Sequence, residues 1–312
     1  MFAPIHQDEL KNQYSLIDWD NINKSLFYDA NKKNSLHSSS PGHCPVVFSR
    51  PHSILAEALR GAPNRQGIIL AKGDYIIHCD SDDWMDTNLL KLMYDTAVKT
   101  NSEVVMCPVI EEWGKNTILH EYSQLGNDCQ TVIEEWYKKT IQMYTVNKLV
   151  KLSVLQKNQI LPFQGINMWE DNGLMFRVFY YAQGLSYIND AYYHYNRKNE
   201  QAMTHRYNKA AVQQMLNCAN QLSIFFSNKP DYTRYVNTVN SIKFLAKINL
   251  LTSNFSDLKE YYVTYPESDS IIAFLDSNAF SAKGKVRFWF AKHHLEWLFV
   301  FFFKCSSLFN LH

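Results

Sequence analysis

The chain has 312 residues, enough for one large domain or two ordinary ones, each with a buried core. Hydrophobic residues make up 46% and charged residues 20%, an ordinary globular balance, and a formal net charge of +1 sets up no field that would attract nucleic acid. The cysteines (Cys44, Cys79, Cys107, Cys129, Cys218, Cys305) form no CxxC pair, which argues against a zinc module or a disulfide framework and for reduced thiols in the cytoplasm. Met1 to Leu16 has neither the basic start nor the apolar core of a signal peptide.

In chain order, residues 1–60 carry little pattern. Asn34–Ser53, rich in serine and proline, reads as loop or disorder, with only Val46, Val47 and Phe48 resembling a strand. From Gly61 the signals sharpen. "NRQGIILAKG" predicts a short helix that ends at Gly73 in a left-handed cap. "YIIHC" predicts a strand buried on both faces. Asp86 or Thr87 is suited to cap a following helix whose apolar side is Leu89, Leu90, Met93 and Ala97. Glu103–Val109 predicts a second strand, and the strand–helix–strand order predicts an α/β layer with a mainly parallel sheet.

Glu134–Ser153 reads as mostly helical. Leu174, Val178 and Tyr181 then mark another helix, with Gly184 at its end. "LSYI" and "AYYHYN" are short aromatic strands. Beyond Asn208 two apolar stripes, Val212–Met215–Ala219–Leu222 and Val236–Val239–Ile242–Ala246, predict helices that bury them. Near the end, Leu295–Phe303 is strongly apolar but too short to span a bilayer, which takes about 20 residues. It is flanked by Lys283, Lys285, Arg287, Lys292 and Lys304. This composition suits either a helix docked on the protein or one lying on an anionic membrane, a peripheral contact at the inner face.

The chemistry concentrates in "YIIHCDSDDWMD", where an apolar strand ends in Asp80, Asp82, Asp83 and Trp84. Asp80 and Asp82, one residue apart, point the same way in an extended chain, and open α/β sheets hold their ligands at such strand ends. Two adjacent carboxylates suit a hard divalent cation that keeps its waters and shares a phosphate. An acidic turn that caps the next helix is the bland alternative. Trp84 is placed to meet a sugar, although an aromatic at a strand end equally suits a core. His194 and His205 are candidate phosphate or metal contacts, and Arg65 and Arg197 candidate phosphate contacts; structural roles serve each as well.

The segment "GAPNRQGIILAKGDYIIHCDSDDWMDTNLLKLMY" resembles the centre of bacterial family 2 glycosyltransferases of the GT-A fold: Ala71, Gly73, Asp74, Tyr75 and Ile76 lead to Asp80, Asp82, Asp83 and Trp84. Downstream, Asn147-Lys148-Leu149, the Glu170-Asp171 pair and a tyrosine-rich strand closing on Arg197 resemble the acceptor half of the same domain. The resemblance implies a GT-A-like (Rossmann-like) mixed sheet over residues 61–205, with an atypical segment at 1–60 and a helical region with an amphipathic aromatic tail at 206–312. It implies that Asp80 and Asp82 hold Mn²⁺ or Mg²⁺ against the diphosphate of a nucleotide-sugar, a UDP-linked one being expected, with Asp83, Arg65 and Trp84 lining the donor. Asp171 is implied as the base that activates a glycan or lipid-linked acceptor, with inversion, and Glu170 as its neighbour. Helix capping is the plain alternative for that pair.

The family's opening strands, which form its nucleoside pocket, are not found in residues 1–60, so the fold is expected to be incomplete on that side, with an unpaired strand edge. That leaves a second expectation beside surface-polysaccharide synthesis, a truncated, inactive relative that acts at most as a binding module. An aspartate-nucleophile phosphatase using D-x-D-D is a third, badly served by the Glu170-Asp171 context.

Overall fold

The computed structural model describes residues 44–48, 64–80, 82–122, 126–138, 141–198, 208–251, 258–273, 282–295 and 297–298. They fall into two compact units: Met1–Cys129, Tyr144–Pro162 and Arg177–His205 form the first, and Gln130–Met143, Phe163–Phe176 and Arg206–His312 the second.

The first unit is built on two sheets. One has five strands in the order β1-β2-β7-β4-β8: β1 is Cys44–Phe48, β2 Tyr75–Cys79, β7 Lys148–Lys151, β4 Val104–Met106 and β8 Leu185–Tyr187. The other, β3-β9-β5-β6, comprises Trp84–Met85, Tyr193–Asn196, Val109–Glu112 and Thr117–His120. Among the described residues β4–β8 and β5–β9 run parallel, while the other pairings are antiparallel. The sheet is therefore mixed, and the mainly parallel sheet expected from strand–helix alternation is corrected. The reason is β7, an antiparallel strand inserted between β2 and β4.

Two further expectations fail locally. Among the described residues of Glu134–Ser153 the helical parts are the end of α3 (Cys129–Glu135) and the start of α4 (Leu152–Lys157), with strand β7 between them. Glu103–Val109 is broken at Cys107–Pro108, so that β4 and β5 serve different sheets. Cys44–Phe48, inside the stretch read as loop, pairs antiparallel with all of β2. The edge of β2 that was expected to lie open is thus covered, in keeping with the cost of a bare apolar strand edge.

Other elements follow their sequence. β2 buries Tyr75, Ile76 and Ile77. Helix α1 (Asn64–Leu70) ends before Gly73, which is not left-handed as expected. Helix α2 (Leu89–Thr100) buries the stripe Leu89, Leu90, Met93 and Ala97, as its spacing predicts. Its N-cap is Asn88 rather than Asp86 or Thr87, and the Asn88 side chain makes no capping hydrogen bond. After α5 (Glu170–Tyr181), Gly184 at φ +78° turns the chain into β8, where a Cβ would come within 3.3 Å of the Ser102 Cα.

The second unit is helical. Helix α6 (Lys209–Ser227) starts at Asn208, whose side chain accepts a hydrogen bond from the Ala211 N–H, and it buries Val212, Met215, Ala219 and Leu222. Helix α7 (Val236–Lys247) buries Val239, Ile242 and Ala246. On α7, Lys247 is fully buried, donates to the Tyr265 carbonyl and pairs with Asp269 at 2.8 Å. One turn earlier Lys243 pairs with Glu267 at 3.0 Å, so two lysines tie the 3-10 segment Pro266–Ala273 to the helix. Helices α8 (Leu258–Val263) and α9 (Ala282–Lys292) complete the unit. The expectation for Leu295–Phe303 lies largely outside the described residues.

Candidate functional site

Strand β2 delivers the chain to a turn closed by the Asp83 N–H donating to the Asp80 carbonyl at 3.2 Å. The Asp80 N–H donates to the Tyr193 hydroxyl at 3.1 Å, and that hydroxyl donates to the Asp83 carboxylate at 2.7 Å. The other Asp83 oxygen accepts the Asn196 N–H at 2.8 Å. Asp83 is buried, and strand β9 uses both its oxygens to hold the turn. Burial, reinforced by the Cys79 and Asp83 charges, pushes the Tyr193 phenol well above its ordinary range, so it stays a hydrogen-bond donor. Asp80 and Asp82 are half-buried.

Beyond the turn, Trp84 pairs with His194 in the β3–β9 register and its ring stacks on the imidazole at 5.1 Å and 10°. The imidazole is held on both sides: Nδ1 lies 2.8 Å from Glu112 and Nε2 3.2 Å from Asp86. The second Asp86 oxygen accepts the Tyr192 N–H at 2.9 Å. Asp86 thus fastens β3 to β9 instead of capping α2, and both nitrogens of His194 are committed to carboxylates. The metal or phosphate role considered for His194 gives way to this structural one. His205 lies outside the described residues.

A second cluster follows on the same sheet. The Arg197 guanidinium pairs with buried Glu111, donates to the Tyr144 hydroxyl at 3.4 Å, and sits over the rings of Tyr195 at 4.3 Å and Trp113 at 5.7 Å. Tyr144 and Tyr195 stack at 5.9 Å. Burial alone would raise the Glu111 carboxyl, but its hydrogen bond and charge contact with Arg197 outweigh this and hold it below the usual carboxylate range. Burial chiefly raises the Tyr195 phenol to about 12; the Arg197 charge opposes this, while Asp83, Tyr144 and Asp82 add to it. Arg65, on α1, is exposed and donates to the Pro162 carbonyl at 3.5 Å.

Glu170 and Asp171 form the first turn of α5, in the second unit. The approach to that turn is tightly specified. Gln214 of α6 accepts the N–H groups of Asn167 and Met168 at 2.8 and 3.0 Å, and Trp169 adopts φ +69°, unusual for a bulky residue. A Cβ on Gly173 would meet the Phe163 ring at 2.9 Å, so only glycine lets this turn close on its neighbour. Backbone strain of this kind gathers where geometry is functionally constrained.

Of the residues expected to line a site, the structure joins Asp83 and Trp84 to β9 and ties Arg197 to Glu111. Sequence reading missed Glu111, Glu112, Asp86, Tyr144, Tyr193 and Tyr195. The acidic pair Glu111–Glu112 on an otherwise apolar strand was the one available signal.

Residues 60–179 match the family described as glycosyl transferase family 2. EpsH of Bacillus subtilis (strain 168), named as a glycosyltransferase, is 28% identical over 156 residues, covering 48% of this chain and 44% of that protein. The poly(ribitol-phosphate) beta-glucosyltransferase of Bacillus spizizenii is 26% identical over 140 residues, 45% of this chain and 22% of that protein. The chain thus spans less than half the length of these curated relatives. Among solved structures, S. aureus TarS 1–349 in complex with UDP-GlcNAc superposes with a TM-score of 0.55 at 14% identity, over 93% of this chain and 84% of that one. The family 2 glycosyltransferase resemblance read from residues 61–205 accordingly stands on an independent match over residues 60–179, and the fold is of the GT-A kind.

Proposed function

We propose that the chain transfers a sugar from a nucleotide-diphosphate donor, a UDP-sugar by preference, to a saccharide or lipid-linked acceptor in surface-polysaccharide assembly. One observation carries this reading: Asp80 and Asp82 stand half-buried in a turn at the carboxyl end of β2, next to Asp83, whose two oxygens are fixed by β9, so three carboxylates gather where a strand ends in a family 2 glycosyltransferase-like segment. The glycosyltransferase relatives and the UDP-GlcNAc complex of TarS support the choice of donor class.

Asp80 and Asp82 are the donor set for a divalent ion. Among the described residues no group of three or more His, Cys, Asp or Glu side chains is gathered. Two carboxylates suit Mg²⁺ or Mn²⁺, which keeps several waters and would be completed by substrate phosphate. When bound, such an ion would neutralise charge developing on the leaving diphosphate.

In this mechanism Asp171 accepts the proton of the acceptor hydroxyl, and the oxygen attacks the anomeric carbon from the face opposite the nucleotide. A new C–O bond forms as the bond to the diphosphate breaks, its electron pair leaving with the phosphate, and the anomeric configuration inverts. Glu170 orients the acceptor or its neighbouring base. Trp84, supported from behind by His194, offers an aromatic face to the sugar.

Calorimetric titration of UDP with Mn²⁺, against Asp82→Ala and followed by UDP release from a panel of UDP-sugars, tests the reading. Binding that requires both metal and Asp82, followed by turnover that Asp171→Asn abolishes, is expected. Binding without turnover on any donor would favour the truncated relative. A folded chain that binds no UDP would overturn the UDP-sugar reading.

A further inference from the structure

Helix α9 has two unlike faces. Phe288 and Ala291 are buried: the Phe288 ring packs edge-on against Phe244 of α7 at 5.2 Å, and the Ala291 carbonyl accepts the Tyr262 hydroxyl at 2.9 Å. This side is committed to the helical unit. Lys285, Val286, Trp289, Lys292 and His293 are all exposed and recur at helical spacing, so they share the opposite face. Trp289 is 51% exposed, and Trp297, just beyond the helix, 64%.

Exposed indoles set among lysines are an unfavourable surface in water, because each indole leaves much apolar area wet. A lipid headgroup layer satisfies both partners at once, with phosphate for the ammonium groups and an apolar boundary for the rings. The charge is segregated as well. Residues 282–304 hold five basic side chains, Lys283, Lys285, Arg287, Lys292 and Lys304, against the one acid Glu296, in a chain whose net charge is +1. No helix among the described residues is long and apolar enough to cross a membrane, so contact through this face would be interfacial.

We propose that the outer face of α9 docks on an anionic phospholipid surface, with Trp289 and Trp297 entering the headgroup boundary while Lys285 and Lys292 meet lipid phosphates. It holds whether or not the chain transfers sugar.

The test is co-sedimentation of the full chain with vesicles of phosphatidylglycerol mixed into phosphatidylcholine, and with phosphatidylcholine alone. Binding to the anionic vesicles alone, weakening as salt rises, is expected. The double reversal Lys285→Glu with Lys292→Glu should lower it at least about tenfold, and Trp289→Ser should lower it further. Lys99→Glu with Lys157→Glu, an equal change in net charge at exposed positions in the first unit, should leave it intact. Circular dichroism checks that each variant is folded. Equal binding to both vesicle types, no binding by the folded chain, or equal losses from the two double reversals would each overturn the proposal.

Discussion

The two sheets of the first unit are stabilised by different physics. In the five-stranded sheet Ile76, Ile77, Val104, Val105, Leu149 and Leu185 are all buried, and apolar burial holds it. The four-stranded sheet is wired by polar contacts: Asp83 to Tyr193 and Asn196, Asp86 to Tyr192 and His194, Glu112 to His194, and Glu111 to Arg197. Burial is non-directional and fixes a scaffold; hydrogen-bonded carboxylates are directional and fix positions, at the risk of costly failure when one partner goes. The acidic turn sits where the first sheet ends and the second begins, so its geometry depends on the directional one.

Substitutions can break or sharpen that contrast. Ile77→Ala in the apolar sheet should cost the most, about 3–4 kcal/mol, seen as a lower urea midpoint. Asp83→Ala should cost about 3 kcal/mol, because the Tyr193 hydroxyl and the Asn196 N–H both lose their acceptor. A loss well under about 1 kcal/mol would show that the small sheet is not held by its polar wiring.

Glu111→Gln should cost about 2 kcal/mol near neutral pH, since it leaves the Arg197 guanidinium without its carboxylate. Because Glu111 is held below its ordinary value of 4.5 in the fold, its contribution is present above that pH and disappears as pH falls through the lower folded value. Urea titrations of wild type and variant should therefore converge on acidification, and a gap that widens would refute the pairing. Asp82→Asn should change stability least, by about 0.5 kcal/mol or less, while lowering transfer about a hundredfold or more.

The contrast also explains what could be read in advance. β2, α2, β8, β9 and the helical stripes were legible because their apolar residues recur with the period of the element, as Leu89, Leu90, Met93 and Ala97 do. β7 was not. Its Lys148 looks like a surface residue, yet it is fully buried and donates to the Tyr144 carbonyl and the Asn147 side chain at 2.6 and 2.7 Å. β1 hid among serines and prolines, its partner β2 lying well downstream.

The acidic turn announced itself by composition, but its division of labour did not. How the Asp83 carboxylate holds the turn depends on Tyr193 and Asn196, more than a hundred residues later. Likewise nothing local predicts that His194 and Arg197 answer to Glu112, Asp86 and Glu111. Periodic burial is local information; polar pairing across a sheet is not.

The strand order also sets a timetable for the growing chain. β2 and β4 emerge early, but the strand between them is β7 at Lys148–Lys151, the other edge of β4 waits for β8 at Leu185–Tyr187, and β5 waits for β9 at Tyr193–Asn196. The five-stranded sheet cannot close until synthesis has passed residue 187, nor the four-stranded sheet until it has passed residue 196. Until then the ribosome carries apolar strands with bare edges, the condition in which chains fold slowly and aggregate. An interrupted nascent chain would therefore expose the edges of β2 and β4 to chaperones, or to one another, well before it possessed a complete acidic turn.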